Sequence, residues 1–309
     1  YLIIMINKQN KKVVYHPKYH HQDQQDIRLT KNLYQRFRYG LIKRHFYYLT
    51  SSFRVLPNFF VIGAGRTGTT SLYHYLNQHP CLIKSAYDEL GYFDDNFHLG
   101  LNWYRSLFPT KFTQKKVESK HKKFLTYDVT PQYIRRPWTA RRISSYFPNA
   151  KLIAVLRNPV DKTYSHYNMS TVESNEKRSF EKIITKEIEE FQKTRYEDKD
   201  DSYFSTVVEE SYLARSFYQE QLEIWFKLFP KKQILIIKSE DLSNKTSKVL
   251  QDIFNFLMLP EYEIKDVTKH SVSSHSKMNS NSRKILIEFF KPYNKRLYEF
   301  LDRDFGWDK

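Results

Sequence analysis

The chain has 309 residues, with 51 lysines and arginines against 34 acids, a formal net charge of +17, 40% hydrophobic residues and 17% aromatics. A lone cysteine, Cys81, cannot form an internal disulfide, so a disulfide-stapled secreted module is excluded and a reducing compartment is expected. Tyr and Phe are plentiful enough to bury a large core, which excludes wholesale disorder, and the positive surface must attract anions: nucleic acid, acidic membrane, or substrates bearing phosphate or sulfate.

Residues 1–55 read as a basic N-terminal extension, rich in His, Gln, Lys and Arg and without a sustained apolar period before Tyr34. The apolar run at 1–6 is too short for a signal h-region or a membrane span. Lys43, Arg44, His45 and Arg54 interrupt the greasy stretch 40–62, so no transmembrane helix is expected. His16, His20 and His21 have no Cys or carboxylate at ligand spacing and are read as solvated; no metal site is predicted. These features lead to an expected cytoplasmic location, with the basic N-terminus suited to the inner, anionic membrane surface.

From Pro57 the texture changes, and residues 56–309 read as one domain. Short apolar runs at 59–62, 124–127, 151–156 and 233–237 predict buried strands. Helical patterns lie between them, at 69–78 and over a long stretch at 209–229. Strands alternating with helices imply an α/β fold with a central parallel sheet flanked by helices. Residues 173–201 predict an exposed amphipathic helix or lid, and the Ser/Asn-rich 271–282 a loop.

The chain has seven glycines, and Gly63, Gly65 and Gly68 cluster directly after the first predicted strand. The sequence V-I-G-A-G-R-T-G-T-T-S-L at 61–72 gives strand, glycine loop and helix, an arrangement whose backbone N–H groups bind a phosphate-like anion. Gly65, Arg66, Thr67, Gly68, Thr69 and Thr70 are the candidate donors. The alternative is a tight turn that needs glycine for its dihedrals alone. A Walker A loop would carry Lys where Thr69 stands, so an ordinary ATPase or GTPase loses ground and Arg66 takes over as the fixed cation.

These residues place the chain beside a known family. The stretch 57–80 resembles the 5′-phosphosulfate loop of sulfotransferases that use 3′-phosphoadenosine 5′-phosphosulfate. The block L-R-N-P-V-D-K-T-Y-S-H-Y at 156–167 resembles that family's 3′-phosphate element, with Arg157 and Ser165 in the matching places. D-E-L-G-Y-F-D at 88–94 is similar to the acidic segment of the heparan-sulfate-type and bacterial branch, where a Glu before an aromatic pair is the catalytic base; Glu89 holds that place. Stretches at 102–104, 128–133, 221–230, 240–242 and 290–297, together with Gly306 and Trp307, resemble the same branch.

The resemblance implies a P-loop-like three-layer domain, sulfuryl transfer to a saccharide, glycolipid or other small-molecule acceptor, and adenosine 3′,5′-bisphosphate as product. It implies Glu89 and Arg66 as catalytic, and Arg157 and Ser165 as the 3′-phosphate grip. Nucleic acid is not expected as a partner, since no recognised motif supports it; peripheral membrane contact is. The competing class is a P-loop kinase or hydrolase, in which Asp128 would hold Mg²⁺. In the sulfotransferase reading Asp128 is a structural acid that orders the loops through Arg135 or Arg136. Arg135, Arg136, Arg141 and Arg142 are read as a solvated helix face, and Trp103, Trp138, Trp225 and Trp307 as core. Departures from the branch are Arg66 for a common Lys, Val129 where a Lys often precedes Thr-Pro, Gly91 for a His, and no disulfide-closed nucleotide loop. Lys277 or Arg283 would then cover the nucleotide.

Overall fold

The computed structural model describes residues 47–173, 176–193, 200–269 and 276–309. The expected extension lies outside them as far as residue 46, as do the three N-terminal histidines. Residues 47–55 belong to the same compact unit as all that follows. Arg54 NH1 donates to the Phe108 carbonyl at 2.7 Å and its backbone bridges to Thr110, which ties this segment to the body.

Five parallel strands, β1 (Phe59–Gly63), β2 (Leu82–Lys84), β3 (Leu125–Val129), β4 (Lys151–Leu156) and β5 (Ile234–Lys238), form one sheet in the order β2-β3-β1-β4-β5. Four of these were legible as apolar runs. The edge strand β2 is three residues long, and its one buried side chain, Leu82, leaves no run to detect. Because β1 is central, every residue from Phe59 to Gly63 is buried.

The helices used below are α1 (Thr69–Leu76), α2 (Gly100–Ser106), α3 (Lys111–His121), α4 (Pro137–Tyr146), α5 (Pro159–Glu173), α6 (Phe180–Lys193), α7 (Tyr218–Leu228), α8 (Ser239–Asn244), α9 (Thr246–Leu257) and α10 (Ser280–Leu301). Successive strand residues face opposite sides, so the sheet builds two cores. Phe60, Ile62, Leu152 and Ala154 meet Ile143 of α4 with Leu222 and Trp225 of α7. Phe59, Val61, Ile153 and Val155 meet Leu72 and Leu76 of α1 with Leu250 and Phe254 of α9. Helices therefore cover both faces, as expected for a three-layer fold.

Three local expectations need correction. The long helix at 209–229 is broken: Ala214–Ser216 is a 3₁₀ turn, Phe217 leaves helical dihedrals at ψ 73°, and α7 starts at Tyr218. The apolar spacing ran through the break because turn and helix are both buried. Within 173–201, α6 is amphipathic as predicted, but Phe180, Ile183 and Ile184 are buried, so it is a packed helix. Of the loop at 271–282, residues 271–275 lie outside the described residues, and Ser280–Ser282 open α10 with Asn279 as side-chain cap. Cys81 is buried, as are Trp225 and Trp307; Trp103 and Trp138 sit half-buried at the core's edge.

Candidate active site

Residues 64–68 carry the chain from β1 into α1 at the C-terminal end of the sheet, the usual ligand edge of an open parallel sheet. Gly63 has φ +152°, and a Cβ there would meet Ile134 Cγ2 at 2.5 Å and the Pro131 carbonyl at 2.7 Å. Gly68 caps α1 at φ +94°. Arg66 holds a left-handed φ of 67°, costly for a side chain with a Cβ. Thr67 is fully buried and its hydroxyl donates to the Ala64 carbonyl at 2.6 Å, so that hydroxyl holds the loop's shape. Thr69 and Thr70 begin α1, where backbone amides have no acceptor in a preceding turn and the helix end favours an anion.

The neighbouring strand brings in the second motif. Arg157 follows β4, and Asn158 caps α5 by accepting from the Val160 amide at 2.9 Å. Ser165 lies on α5. The Arg66 Nε donates to Ser165 Oγ at 3.1 Å, and Arg157 NH1 donates to the Arg66 carbonyl at 3.2 Å. The two blocks, about ninety residues apart in sequence, thus meet by direct hydrogen bonds around Arg66.

Glu89 enters from the other side of β1. It is half-buried, has φ 50°, and its amide donates to the Val129 carbonyl at 2.9 Å at the end of β3. Since β3 and β4 flank β1, the Glu89 loop, which follows β2 but is hydrogen-bonded to the end of β3, lies with the glycine loop and Arg157 at three adjacent strand ends.

Asp128 supports the Glu89 loop by a route that the sequence reading did not expect. It is fully buried and accepts from Thr130 Oγ1 at 2.7 Å, Tyr104 OH at 2.8 Å and Tyr133 OH at 3.1 Å. Thr130 Oγ1 accepts in turn from the Gly91 amide at 3.3 Å. Burial pushes the Asp128 carboxyl up to about 6 against those hydrogen bonds. Asp128 is therefore a structural acid, but its partners are hydroxyls and not Arg135 or Arg136.

Those arginines are not a solvated face. Arg135 grips Glu209 in a fork, 2.9 and 2.7 Å, while Arg136 Nε donates to Glu209 at 2.5 Å and its NH1 pairs with Asp94 and with Asp95 at 3.0 Å. Arg142 NH1 donates to the Phe93 carbonyl at 2.7 Å. Arg141 alone of the four is exposed, beside Asp201. Burial would raise the Glu209 carboxyl, but Arg135 and Arg136 overcome it and hold the group well below the ordinary range.

A buried layer of basic side chains underlies the Arg157 and Ser165 side. Lys162 of α5 donates to the Arg215 carbonyl and to Ser216 Oγ at 3.3 Å; burial, then Arg215, Arg135 and Arg157, drive its ammonium well below its ordinary value. Burial and Arg215 push His166 down to about 2, so the ring is neutral beside Arg215 NH1 at 2.6 Å. The charge that suits a polyanion on this side rests on the guanidinium groups of Arg66 and Arg157.

Three supporting residues escaped the sequence reading. Tyr218 OH donates to the Arg157 carbonyl at 2.9 Å and accepts from its amide at 3.3 Å. Glu240 accepts from the Asn158 amide at 2.9 Å and from Trp307 Nε1 at 3.4 Å. Glu209 neutralises the arginine pair. Glu240 and Trp307 stand in stretches already matched to the branch, but nothing local marked any of the three as a partner of residues so distant in sequence.

The sulfotransferase domain family model matches residues 56–303. The chain is 29% identical to the membrane-associated sulfotransferase kil1 of Dictyostelium discoideum, covering 82% of this chain and 66% of kil1. It is 26% identical to mouse heparan sulfate glucosamine 3-O-sulfotransferase 3A1, over 82% of this chain and 65% of that protein. It is also 25% identical to the human bifunctional heparan sulfate N-deacetylase/N-sulfotransferase 3, over 80% of this chain and 30% of that protein. The chain thus spans about two thirds of the length of two relatives and under a third of the other. A sulfotransferase crystal structure from Alicyclobacillus acidocaldarius superposes with a TM-score of 0.61 at 25% identity, covering 82% of this chain and all of that one.

Proposed function

The chain belongs to the sulfotransferase domain family, and from that premise we propose that it moves a sulfuryl group from 3′-phosphoadenosine 5′-phosphosulfate to a hydroxyl or amine of a saccharide, glycolipid or similar acceptor. The observation that carries the reading is the junction of Arg66, Ser165 and Arg157, which joins the two anion motifs at one strand edge. A single-phosphate loop would need only the first motif. A donor with phosphates at both its 3′ and 5′ positions needs both.

The donor, when bound, supplies a sulfuryl group on a phosphate leaving group. The amides of residues 67–70 and the Arg66 guanidinium stabilise the charge that gathers on that phosphate, which is the largest help a protein can give such a transfer. Arg157 and Ser165 hold the 3′-phosphate. Glu89 takes the acceptor proton as the acceptor atom joins sulfur and the sulfur–oxygen bond to the 5′-phosphate breaks, leaving adenosine 3′,5′-bisphosphate. Asp128, through Thr130 and Gly91, positions the Glu89 loop.

The names of the relatives support a glycan acceptor and peripheral membrane contact for this chain. Among the described residues no helix is long and apolar enough to cross a membrane.

Titration calorimetry of adenosine 3′,5′-bisphosphate against ADP, without Mg²⁺, tests the reading. Strong preference for the bisphosphate, lost in Arg157→Ala, is expected. Equal or absent binding, with ATP binding restored by Mg²⁺, would replace it with a kinase. Glu89→Gln should bind the bisphosphate normally and lose roughly 10²-fold or more in turnover.

A further inference from the structure

The face around α3 combines two features that rarely coexist on a soluble surface. Leu49, Phe53 and Phe112 are 78%, 69% and 77% exposed, which places three large apolar side chains in water. The antiparallel bridge between Arg54 and Thr110 sets Phe53 beside the start of α3, where Phe112 is the second residue, and Leu49 precedes Phe53 by four positions in the chain. Around them the charge is one-sided. No acid occurs between residues 47 and 58. On α3, Phe112, Lys115, Lys116, Ser119 and Lys120 are all exposed at helical spacing and so share a face. The helix buries no residue, and its single acid, Glu118, accepts from Gln114 at 2.9 Å. Lys111 at its start and Lys122 and Lys123 just past its end extend the basic rim.

Packing of the core does not account for these residues, since α3 contributes nothing buried. Charge alone would suit any polyanion. Exposed Leu and Phe within a lysine rim suit a partner that offers an apolar phase under a negative surface, which a glycan or nucleic acid lacks. The lysine stems would lie along the interface with their ammonium groups among the headgroups. We propose that this face docks the domain on an anionic lipid bilayer, with Leu49, Phe53 and Phe112 entering the acyl boundary and the lysines of α3 meeting anionic headgroups. This inference is independent of the chemistry assigned to the active site, and its test does not use activity.

The test is co-sedimentation of the full chain with phosphatidylcholine vesicles, with and without phosphatidylserine. Binding is expected to require phosphatidylserine. It should fall at least tenfold in Leu49→Ser/Phe53→Ser/Phe112→Ser, and at least tenfold in Lys115→Gln/Lys116→Gln/Lys120→Gln. All six positions are exposed, and circular dichroism checks the fold of each variant. A separate Phe112→Trp variant reads insertion directly: its added emission should shift to the blue on phosphatidylserine vesicles and be quenched by brominated acyl chains. Full binding by the serine variant would overturn the proposal, because basic residues elsewhere would then suffice. So would absent binding to both vesicles, an unshifted emission from the Phe112→Trp variant, or a concentration-dependent dimer that the serine substitutions abolish. Equal loss of heparin binding in the serine variant would assign the face to a polyanionic glycan instead.

Discussion

Arg66 and Ser165 share a 3.1 Å hydrogen bond that locks the glycine loop after β1 to the helix after β4. Each belongs to a different anion motif, so one contact couples the two ends of the proposed donor. The coupling shapes how substitutions there should behave. Arg66→Ala removes the charge proposed to meet the leaving phosphate and should lower kcat by roughly 10²–10³-fold. Ser165→Ala should instead weaken adenosine 3′,5′-bisphosphate binding by roughly tenfold, the worth of one hydrogen bond, and leave kcat at saturating donor near wild type. Steady-state rates with calorimetric affinities separate the two; identical effects on kcat and affinity in both variants would dissolve the distinction.

The glycine loop was legible because its demands are local. Gly63 holds a φ of +152° and Gly68 caps a helix at φ +94°, so both leave a mark within a few residues. The strands were legible as apolar runs, except for the brief β2. Glu209 left no such mark: its partners Arg135 and Arg136 are more than seventy positions away, and a Glu at the start of a predicted helix reads like any surface acid. Arg135, Arg136 and Arg142 were misjudged for the same reason, since spacing shows a shared face and not what covers it, while Arg141 is exposed as read. Asp128 was identified as structural, but its hydroxyl partners come from Tyr104 and Tyr133, which composition alone would assign to the core.

Asp128 gives a pH prediction. Its carboxyl is raised from 3.8 to about 6 by burial, against three hydroxyl hydrogen bonds. A raised folded value means that the protonated form favours folding, so this group's contribution is present below the unfolded value and is lost as pH rises from about 4 to about 6. The loss approaches ~3 kcal/mol at ~1.4 kcal/mol per unit. Asp128→Asn cannot titrate. In urea unfolding, the stability of the variant relative to wild type should therefore rise by about that amount between pH 4 and 7. A flat difference would mean that the three hydroxyls hold the carboxylate ionised without cost.

Glu209 is the acid that neutralises two buried guanidinium groups, so its loss should be felt in folding. Glu209→Gln leaves Arg135 and Arg136 with one carboxylate fewer in a site where Lys162, Arg215 and His166 offer no compensation. Breaking such a pair by removing one partner costs about 3–5 kcal/mol. Denaturant titration should show a drop of that size; a loss below about 1 kcal/mol would show that the pair is screened by solvent.

Tyr218 should matter for donor binding without touching the donor. Its hydroxyl sits between the amide and carbonyl of Arg157, and burial holds it protonated, far above the ordinary phenol range, so it always has a proton to donate. Tyr218→Phe keeps the ring and its packing but strands two partly buried backbone groups, at about 1–3 kcal/mol. If that hydroxyl fixes the Arg157 backbone, affinity for adenosine 3′,5′-bisphosphate should fall roughly tenfold while affinity for ADP, which has no 3′-phosphate, stays unchanged. If the ring only fills the core, Phe is a near-perfect replacement and both affinities should match wild type. Titration of the two nucleotides against the same variant decides between these, because a general loss of stability would lower both together.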